Sequence, residues 1–473
     1  GRSCRRPWIL FVNSSPNLSP ESVVSDLFDQ SALSELAGRL VEAAKRAGAD
    51  AADAIAVRGV SQGVEVRDGR VEESERSEGD DVGLRVLVGR RQATVSTNDV
   101  GGDNGAKLAE RAVAMARVAP EDQYVGLADP SLLAQNFPDL DLLDRVMPST
   151  AELERRAVEA EAAGLAVKGV TKSGGASAST GISGMVLVTS TGFHGRYLRS
   201  SQGISMMAIV GDGTGMERDY DFSSALHGSD LMSAASIGRS AGERAVARAN
   251  PRKVATCKVP VVFDPRVAGS LVGHVVSAAN GAAVARKTSF LKDRLGQQLF
   301  AKGIRIIDDP LRVRGLRSQS FDAEGVATKK LAVIDNGVLP SWLLDSATAR
   351  ELGLATTGHA HRGVSSSPSP GPYNLHLEAG EMTPRQLIAD VEQGFYVTDL
   401  IGSGVNGVTG DYSRGASGFW IENGEMTYPV SEITIAGHLI EMFRSLTPAN
   451  DLTFRYGTIA PTVRIEGLTV GGR

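Results

Sequence analysis

Two histidines separated by a single residue, His359 and His361, form the only close pair of imidazoles in this sequence. Alternate residues of a strand face the same side, so two such imidazoles could share a metal ion. A metallohydrolase also needs a third ligand and a carboxylate base, and no carboxylate follows the pair until Glu378. Because the surrounding residues are rich in Gly and Ser, we expect loop histidines here rather than a metal centre.

A zinc-peptidase helix needs two imidazoles on one face and a glutamate base beside them. No histidine in this chain is followed by glutamate, so the patterns HExxH and HExxxH are both absent. His274 lies in an apolar stretch, Gly273-His274-Val275-Val276, inside a helix predicted from Arg266 to Ala279. We expect this lone histidine to be a hydrogen-bonded core residue.

Glycine-rich motifs give weak signals for other chemistry. Residues 402–407 match GxGxxG, but no helix start with an apolar stripe follows them, so a glycine-rich turn region is expected instead of a dinucleotide site. Residues 415–418 resemble a nucleophile elbow without its GxSxG spacing. No GxxxxGK[ST] phosphate loop occurs, and neither a nucleotide-binding protein nor a serine hydrolase is indicated.

Neighbouring carboxylates occur at Asp308-Asp309 and again at Asp322 and Glu324. Paired carboxylates can perform acid–base chemistry. Aspartates beside strands and turns more often accept backbone N–H groups, so we expect these four side chains to cap turns.

Composition excludes several functional classes. The 473 residues include 50 basic and 55 acidic side chains, and a net charge of −5 argues against a dedicated nucleic-acid binder. No apolar run approaches the ~18 residues of a membrane span. The only cysteines, Cys4 and Cys257, form neither a disulfide framework nor a CxxC pair, which favours a reducing cytoplasm.

The helices and strands that must position these residues are predicted from the spacing of apolar residues, which alternates between a helical period and a period of two. Helical spacing predicts a helix at 31–47, and period-two segments then predict a β-meander with a hairpin turn at Asp68-Gly69. A helix at 104–117 closes this unit. The order of helix, strands and helix is repeated after residue 149, with its last helix predicted at 229–249.

The predicted fold class is α+β, with helix and β-meander units followed by a larger, mixed, β-rich C-terminal domain. The predicted organisation is a disordered or mis-assigned tail (1–28), an N-terminal domain (29–120), a linker (121–148), a central domain (149–252) and a C-terminal domain (257–473).

The C-terminal third resembles the TldD/PmbA family. The motifs that carry the resemblance are an Asn-Leu-x-Leu-x-x-Gly stretch and three further runs, at residues 374–380, 394–400, 409–416 and 419–425. Together with the compatible N-terminal unit, the resemblance covers about residues 31–473.

The resemblance implies a heterodimeric metalloprotease. Its TldD subunit carries HExxxH on a helix and a later cysteine ligand, whereas its PmbA (TldE) subunit lacks the metal site. On the matching helix here, Gly273 and Ala278 stand at the ligand positions and His274 stands where the glutamate base would be. No cysteine follows Cys257. The chain therefore resembles the PmbA-type subunit, with no catalytic or metal-ligating residue of its own.

The resemblance also implies a TldD-type partner, which would supply a zinc-type metal, and unfolded or short peptides as substrates. No direct contact with nucleic acid or membrane is expected. Candidate cavity residues are polar groups in glycine-rich loops, although loop capping explains each about as well: Arg362, Asn374, Asp411 and Tyr412. Two alternatives stay open, an autonomous metallopeptidase with a non-standard site and a non-enzymatic protein that binds gyrase or another regulator.

Overall fold

The computed structural model describes residues 29–99 and 104–472. Its N-terminal half is built on one six-stranded antiparallel sheet with the strand order β3-β2-β1-β4-β5-β6. The strands are β1 (Ala51–Arg67), β2 (Arg70–Val88), β3 (Arg91–Thr97), β4 (Val170–Thr189), β5 (His194–Val210) and β6 (Glu217–Ala225). Strands from both predicted N-terminal units therefore share a single sheet.

Four helices cover one face of this sheet. They are α1 (Ser31–Arg46), α2 (Asn104–Val118), α3 (Thr150–Leu165) and α4 (Ala234–Ala247). The α1/α2 pair packs on even-numbered residues of β1 such as Ala54, and α3/α4 pack on Val64 and Val66 farther along the same strand. Successive side chains of a strand alternate between faces, so both helix pairs lie on the same side.

The opposite face of the sheet meets the C-terminal domain around β1 and β4 and again at β6, where Phe222 contacts Tyr456. At β1 and β4, Ile55, Met185 and Leu187 form an apolar cluster with Phe193 and Phe321. The ring centroids of the two phenylalanines are 5.3 Å apart. This cluster fixes the C-terminal domain against the sheet, and no helix among residues 29–99 and 104–472 covers the rest of that face.

The C-terminal domain contains a second six-stranded sheet, a four-stranded sheet and a small two-stranded ladder. Their strands are β7 (Cys257–Phe263), β8 (Ile306–Asp308), β9 (Leu331–Ile334), β10 (Ala360–His361), β11 (Ser369–Pro370), β12 (Leu375–Leu377), β13 (Gln393–Ile401), β14 (Asp411–Glu422), β15 (Glu425–His438), β16 (Thr447–Pro448), β17 (Thr458–Ile459) and β18 (Val463–Gly471). The helices are α5 (Pro265–Ala278), α6 (Gly281–Ala285), α7 (Ser346–Leu352), α8 (Pro384–Ile388) and α9 (Leu439–Arg444). Helix α5 packs against β13, β17 and β12, and its apolar side belongs to the largest hydrophobic core. The predicted α+β class is confirmed.

Local signals placed turns and caps correctly. Asp68 and Gly69 have φ angles of 52° and 72°, as a two-residue hairpin turn requires. Thr383 and Gln386 form the expected capping box at the start of α8. No helix follows the 402–407 glycine segment, which instead turns into β14.

Some predicted boundaries are wrong. A strand expected at 165–171 is the end of α3 followed by the first residues of β4, and the helix expected at 229–249 spans only Ala234–Ala247. The strands predicted separately within β1, and within β2, are single long strands. The tail predicted at 1–28 lies outside the described residues.

The segment predicted as a linker is tied to both halves of the molecule. Leu133 pairs with Val326 of the C-terminal domain in an isolated β-bridge. Leu142 accepts a hydrogen bond from the Ser200 backbone N–H on β5. None of the helices in the described part of the chain is long and apolar enough to cross a membrane.

Candidate functional site

Helix α5 is the element on which the resemblance implies a metal site. Asp264 caps its N-terminus and Pro265 occupies its first turn. A Cβ added at Gly273 would meet no atom within 4 Å, so this position faces open space, whereas Ala278 is buried. Neither position has a side-chain donor atom that could bind a metal ion. The residues present therefore do not fit the metal of a metallopeptidase.

His274 lies between these two positions and faces β14. Its ring meets that of Tyr412 edge to face, with centroids 5.9 Å apart. Burial, followed by the charge of Arg414, lowers the pKa of His274 to about 4, so the imidazole is neutral at pH 7. Burial raises the pKa of Tyr412, and the charge of Arg414 opposes it.

These three side chains carry unpaired polar atoms. In the part of the chain that the structure describes, the Nε2 of His274, the hydroxyl of Tyr412 and the Nε of Arg414 are buried without a hydrogen-bond partner. The expectation of a hydrogen-bonded core histidine is thus wrong for the ring nitrogen Nε2. Among residues 29–99 and 104–472, no group of three or more His, Cys, Asp and Glu side chains could hold a metal ion.

The pair His359 and His361 does not lie in an open loop. His359 is fully buried, its Nδ1 lies 2.8 Å from the carbonyl oxygen of Thr357, and its Nε2 lies 3.4 Å from Asp308. His361 belongs to β10, with its ring centroid 4.6 Å from that of Tyr373. Burial, followed by the nearby His359, lowers the pKa of His361 to about 4. The prediction of loop histidines holds for His359, which precedes β10, but it is wrong for His361, which pairs with Ser369 in the ladder of β10 and β11.

The neighbouring carboxylates cap backbone groups, as expected. Asp322 Oδ1 accepts hydrogen bonds from the backbone N–H groups of Glu324 and Val326, each at 2.9 Å. Asp308 accepts one from the backbone N–H of Tyr373 at 2.8 Å. Their positions in the core exclude direct contact with a large substrate.

Arg362, a predicted cavity residue, joins the two halves of the molecule. Its guanidinium is buried against Asp53 of β1, and Asp53 also pairs with Arg85 of β2. Burial alone would raise the pKa of Asp53, but the charges of Arg362 and Arg85 and their hydrogen bonds outweigh it, and the pKa is lowered. Arg362 also lines a cavity of about 520 Å³ together with His361 and Ser366.

The other predicted cavity residues are placed differently. Asn374 is buried and lines another cavity, of about 330 Å³. Its side chain accepts a hydrogen bond from the backbone N–H of Arg317 and donates one to the Ser318 hydroxyl. Asp411 is exposed and accepts a hydrogen bond from the Thr409 hydroxyl at 2.6 Å. Asp411 and Tyr412 line none of the cavities described here. A substrate role for these residues stays a prediction.

The uncovered side of the N-terminal sheet forms what we call the serine–glycine face. Its residues occupy adjacent positions on four strands: Gly59, Ser61, Gly63, Ser77, Gly79, Ser179, Gly181, Ser183, Ser201, Gly203 and Ser205. Most of them are exposed or half-exposed. A groove of about 700 Å³ runs over this face and shares Val57 and Ser183 with the cavity that Arg362 borders.

The glycines on the serine–glycine face are not explained by backbone strain. Gly59, Gly63 and Gly79 do not have positive φ angles, and an added Cβ would have ordinary contacts or none. Glycine inside a strand lowers stability and often marks a place where another backbone approaches closely. We interpret this face as a surface that presents mainly backbone groups and small hydroxyls.

Sequence reasoning missed this face and, apart from Asn374, the lining of a second cavity beside it. The second cavity, of about 330 Å³, is lined by Arg312, His376 and Phe454 where the end of β6 meets the C-terminal domain. The face has a detectable signal, because small polar residues alternate with apolar ones from Ala176 to Ser183. The cavity has none, since its residues are far apart in sequence.

Comparison with known proteins assigns the family. A family model described as the PmbA/TldA metallopeptidase C-terminal domain matches residues 256–472. The models for domain 1 and the central domain of the same family match residues 52–116 and 146–249. The chain belongs to the PmbA/TldD family.

Two relatives in this family align with this chain over nearly their full length. The metalloprotease PmbA of Escherichia coli O157:H7 is 37% identical over 412 residues, which make up 87% of this chain and 90% of that protein. The PmbA homolog of Haemophilus influenzae is 35% identical, covering 91% of this chain and 94% of its own.

Solved structures of similar fold agree with this assignment. A crystal structure described as a modulator of DNA gyrase from Bacteroides thetaiotaomicron superposes with a TM-score of 0.86 at 28% identity, covering 94% of this chain and 99% of that one. TldE from Thermococcus kodakarensis superposes with a TM-score of 0.82 at 19% identity, covering 92% and 100%, and shows the fold alone.

Proposed function

We propose that this chain is the PmbA/TldE-type subunit of a two-protein metallopeptidase and does not cut peptides alone. The observation that supports it is helix α5, where Gly273 and Ala278 replace the imidazoles that a metal ion would need. A TldD-type partner would supply the zinc-type metal ion and its activated water. The proposed location is the cytoplasm, which the scarcity of cysteine favours.

The role proposed for this subunit is to hold an extended or unfolded peptide. Its serine–glycine face has few bulky side chains, so a peptide backbone could approach the sheet closely whatever its sequence. The adjoining groove of about 700 Å³ and the cavity beside Arg362 together extend from this face to the wall formed by the C-terminal domain. A surface of this kind suits short or unfolded peptides better than a folded protein.

The test is to purify the chain alone, a TldD-type partner alone, and the two together. Cleavage of an unfolded peptide and bound metal are measured for each, the latter by inductively coupled plasma mass spectrometry. We expect cleavage only in the mixture, inhibition by a chelator, and no stoichiometric metal on this chain.

Two controls sharpen this test. Replacing the glutamate base in the HExxxH helix of the partner should abolish cleavage without preventing association. The variant His361→Ala in this chain should leave metal content unchanged, because the ring is packed against Tyr373 inside the fold. Metal-dependent cleavage by the lone chain would overturn the proposal and favour an autonomous peptidase.

A further inference from the structure

The cavity of about 330 Å³ beside β6 combines a cation, aromatic rings and an apolar wall. It lies between the last residues of β6 and the loops around residues 312–316 and 454–459 of the C-terminal domain. The residues used below are Arg312, His376, Phe454, Tyr456, Leu226 and Ile459. Known ligand pockets are ~300–1,000 Å³, so this one would suit a single small group.

Arg312 supplies a charge that no carboxylate in the described part of the chain contacts directly. Burial lowers the pKa of this guanidinium, and the nearby charge of Asp309 opposes that effect. Within the described residues it has no hydrogen-bonded or ion-paired side chain, and its guanidinium carbon lies 3.4 Å from the centre of the Phe454 ring. The other cation of the cavity, Arg314, is already paired with Asp141 and Asp230. Arg312 is therefore the group available to a ligand.

The contact with the Phe454 ring orients the Arg312 guanidinium so that it can bind a planar anion. A guanidinium that lies on an aromatic ring is held in one orientation, and its N–H edge stays free to donate two parallel hydrogen bonds to a carboxylate. The His376 ring packs on the same Phe454, with centroids 5.2 Å apart. Burial lowers the pKa of His376, so this imidazole tends to stay neutral and adds no second charge.

The remaining wall is partly apolar, and it also includes Ser224, Asn374 and the carboxylate of Asp230, whose charge Arg314 compensates. Tyr456 packs on Phe222 of β6 with ring centroids 4.9 Å apart, and Leu226 and Ile459 are buried. Arg455, between Phe454 and Tyr456, pairs with Asp221 and holds this loop against the sheet. A ligand that satisfies both sides of the cavity needs a carboxylate and an apolar group close together.

We propose that this cavity binds a carboxylate joined to an apolar group, and that its ligand is the C-terminus of a peptide whose last side chain is apolar. The peptide part rests on the proposed function, whereas the carboxylate part rests on the cavity alone. One end of an otherwise unselected peptide would thus be fixed beside the serine–glycine face, and peptides with blocked C-termini would be held poorly.

Calorimetric titration of the isolated full-length chain tests the proposal. The probes are acetyl-Ala-Ala-Leu with a free C-terminus, the same peptide as its amide, acetyl-leucine, and acetyl-Ala-Glu-Ala-amide, whose carboxylate is internal. We expect the free acid to bind at least about tenfold more tightly than its amide, because a charge-assisted bidentate contact is lost. The internal carboxylate should bind no better than the amide.

Variants identify the residue responsible. Arg312→Gln should remove the preference for the acid, and Arg312→Lys, which keeps the charge without the planar fork, should retain only part of it. The matched control is Arg252→Gln, since Arg252 also lies over a ring, that of Tyr428 at 4.4 Å, but outside the cavity. Circular dichroism verifies folding, and Phe454→Leu offers a second variant that loosens the arginine without removing charge.

Several results would overturn the proposal. Equal binding of acid and amide, no binding of either, or a preference that survives Arg312→Gln would each refute the carboxylate site. If acetyl-leucine bound as tightly as the tripeptide acid, the ligand would be a small carboxylic acid and the peptide part would be wrong. Neither cleavage nor the partner enters these measurements, so their outcome is separate from that of the peptidase test.

Discussion

Replacement of Asp53 by asparagine should be among the most destabilising single polar changes in this protein. Asp53 is 1% exposed and accepts hydrogen bonds from Arg85 Nε at 2.9 Å and Nη2 at 2.5 Å, while its other oxygen accepts from Arg362. Without the carboxylate, two buried guanidinium groups would face each other without their shared counter-charge.

The expected loss of stability depends on which buried charges each variant leaves unpaired. Removing one partner of a buried ion pair costs ~3–5 kcal/mol, and Asp53→Asn leaves two cations unpaired, so about 5 kcal/mol is expected. Arg362→Met leaves Asp53 paired with Arg85 and should cost only ~1.5–3 kcal/mol, the range for a hydrogen bond to a charged group. The matched control is Asp80→Asn, because Asp80 pairs with Arg58 across the same two strands but 27% of its side chain is exposed. For this variant we expect a loss of stability of only about 0–1 kcal/mol.

Urea unfolding, with hydrogen exchange of β1 as a local probe, measures these differences. The lowered pKa of Asp53 also sets the direction of the pH effect. Its contribution is present above the ordinary pKa of 3.8 and is lost as the pH falls through the lower pKa of the folded state. If Asp53→Asn and Asp80→Asn differed by less than about 1 kcal/mol, the buried network would not be stabilising the junction as argued.

Two further predictions concern glycine positions and a buried imidazole. Gly79→Ala should be neutral or should stabilise the protein by up to ~1 kcal/mol in thermal unfolding, since the φ of Gly79 is not positive and an added Cβ has room. Gly238→Ala should destabilise the protein by ~1–3 kcal/mol, because the new Cβ would lie 1.8 Å from the Ala160 carbonyl oxygen. Equal effects of the two changes would contradict this reading of the packing. The His274 ring should stay neutral down to a pH of about 4 in a nuclear magnetic resonance titration. The variant His274→Gln assigns its signal. A titration midpoint near 6.5 would show that the ring is not desolvated.

Features that depend on a few adjacent residues were predictable from the sequence. The turn at Asp68-Gly69 and the cap at Thr383 need only local chemistry, and both are present. The sequence predicts two short strands in place of the long strand β1, because Gly59 to Gly63 lacks the apolar alternation that marks a strand with one buried face. That same composition is what leaves the serine–glycine face uncovered.

The contacts that define the cavities were beyond the reach of sequence patterns. Arg362 was chosen as a polar loop residue, and nothing near it in the sequence indicates that it pairs with Asp53 in the first strand. Arg312 and Phe454 likewise come together only because β8 and β17, the strands nearest to them in sequence, lie on either side of β12 in the four-stranded sheet. The expectation that α5 provides no metal ligands, in contrast, needs only the sequence, because Gly273 and Ala278 have no side-chain ligand atoms in any fold.

The shared N-terminal sheet has a consequence for how the chain is made. Its inner strand β1 pairs with β4, so that Asp53 lies opposite Thr189, and β6 completes the sheet only at Ala225. The β1–β2 hairpin can form as soon as it leaves the ribosome, but one long edge of β1 must then wait until residues 176–189 of β4 have been synthesised. Slow, long-range closure of this kind exposes strand edges to aggregation during synthesis. The N-terminal half of β2 is rich in acidic residues, such as Glu72, Glu75 and Glu78. Their mutual repulsion would keep two nascent copies apart during that interval.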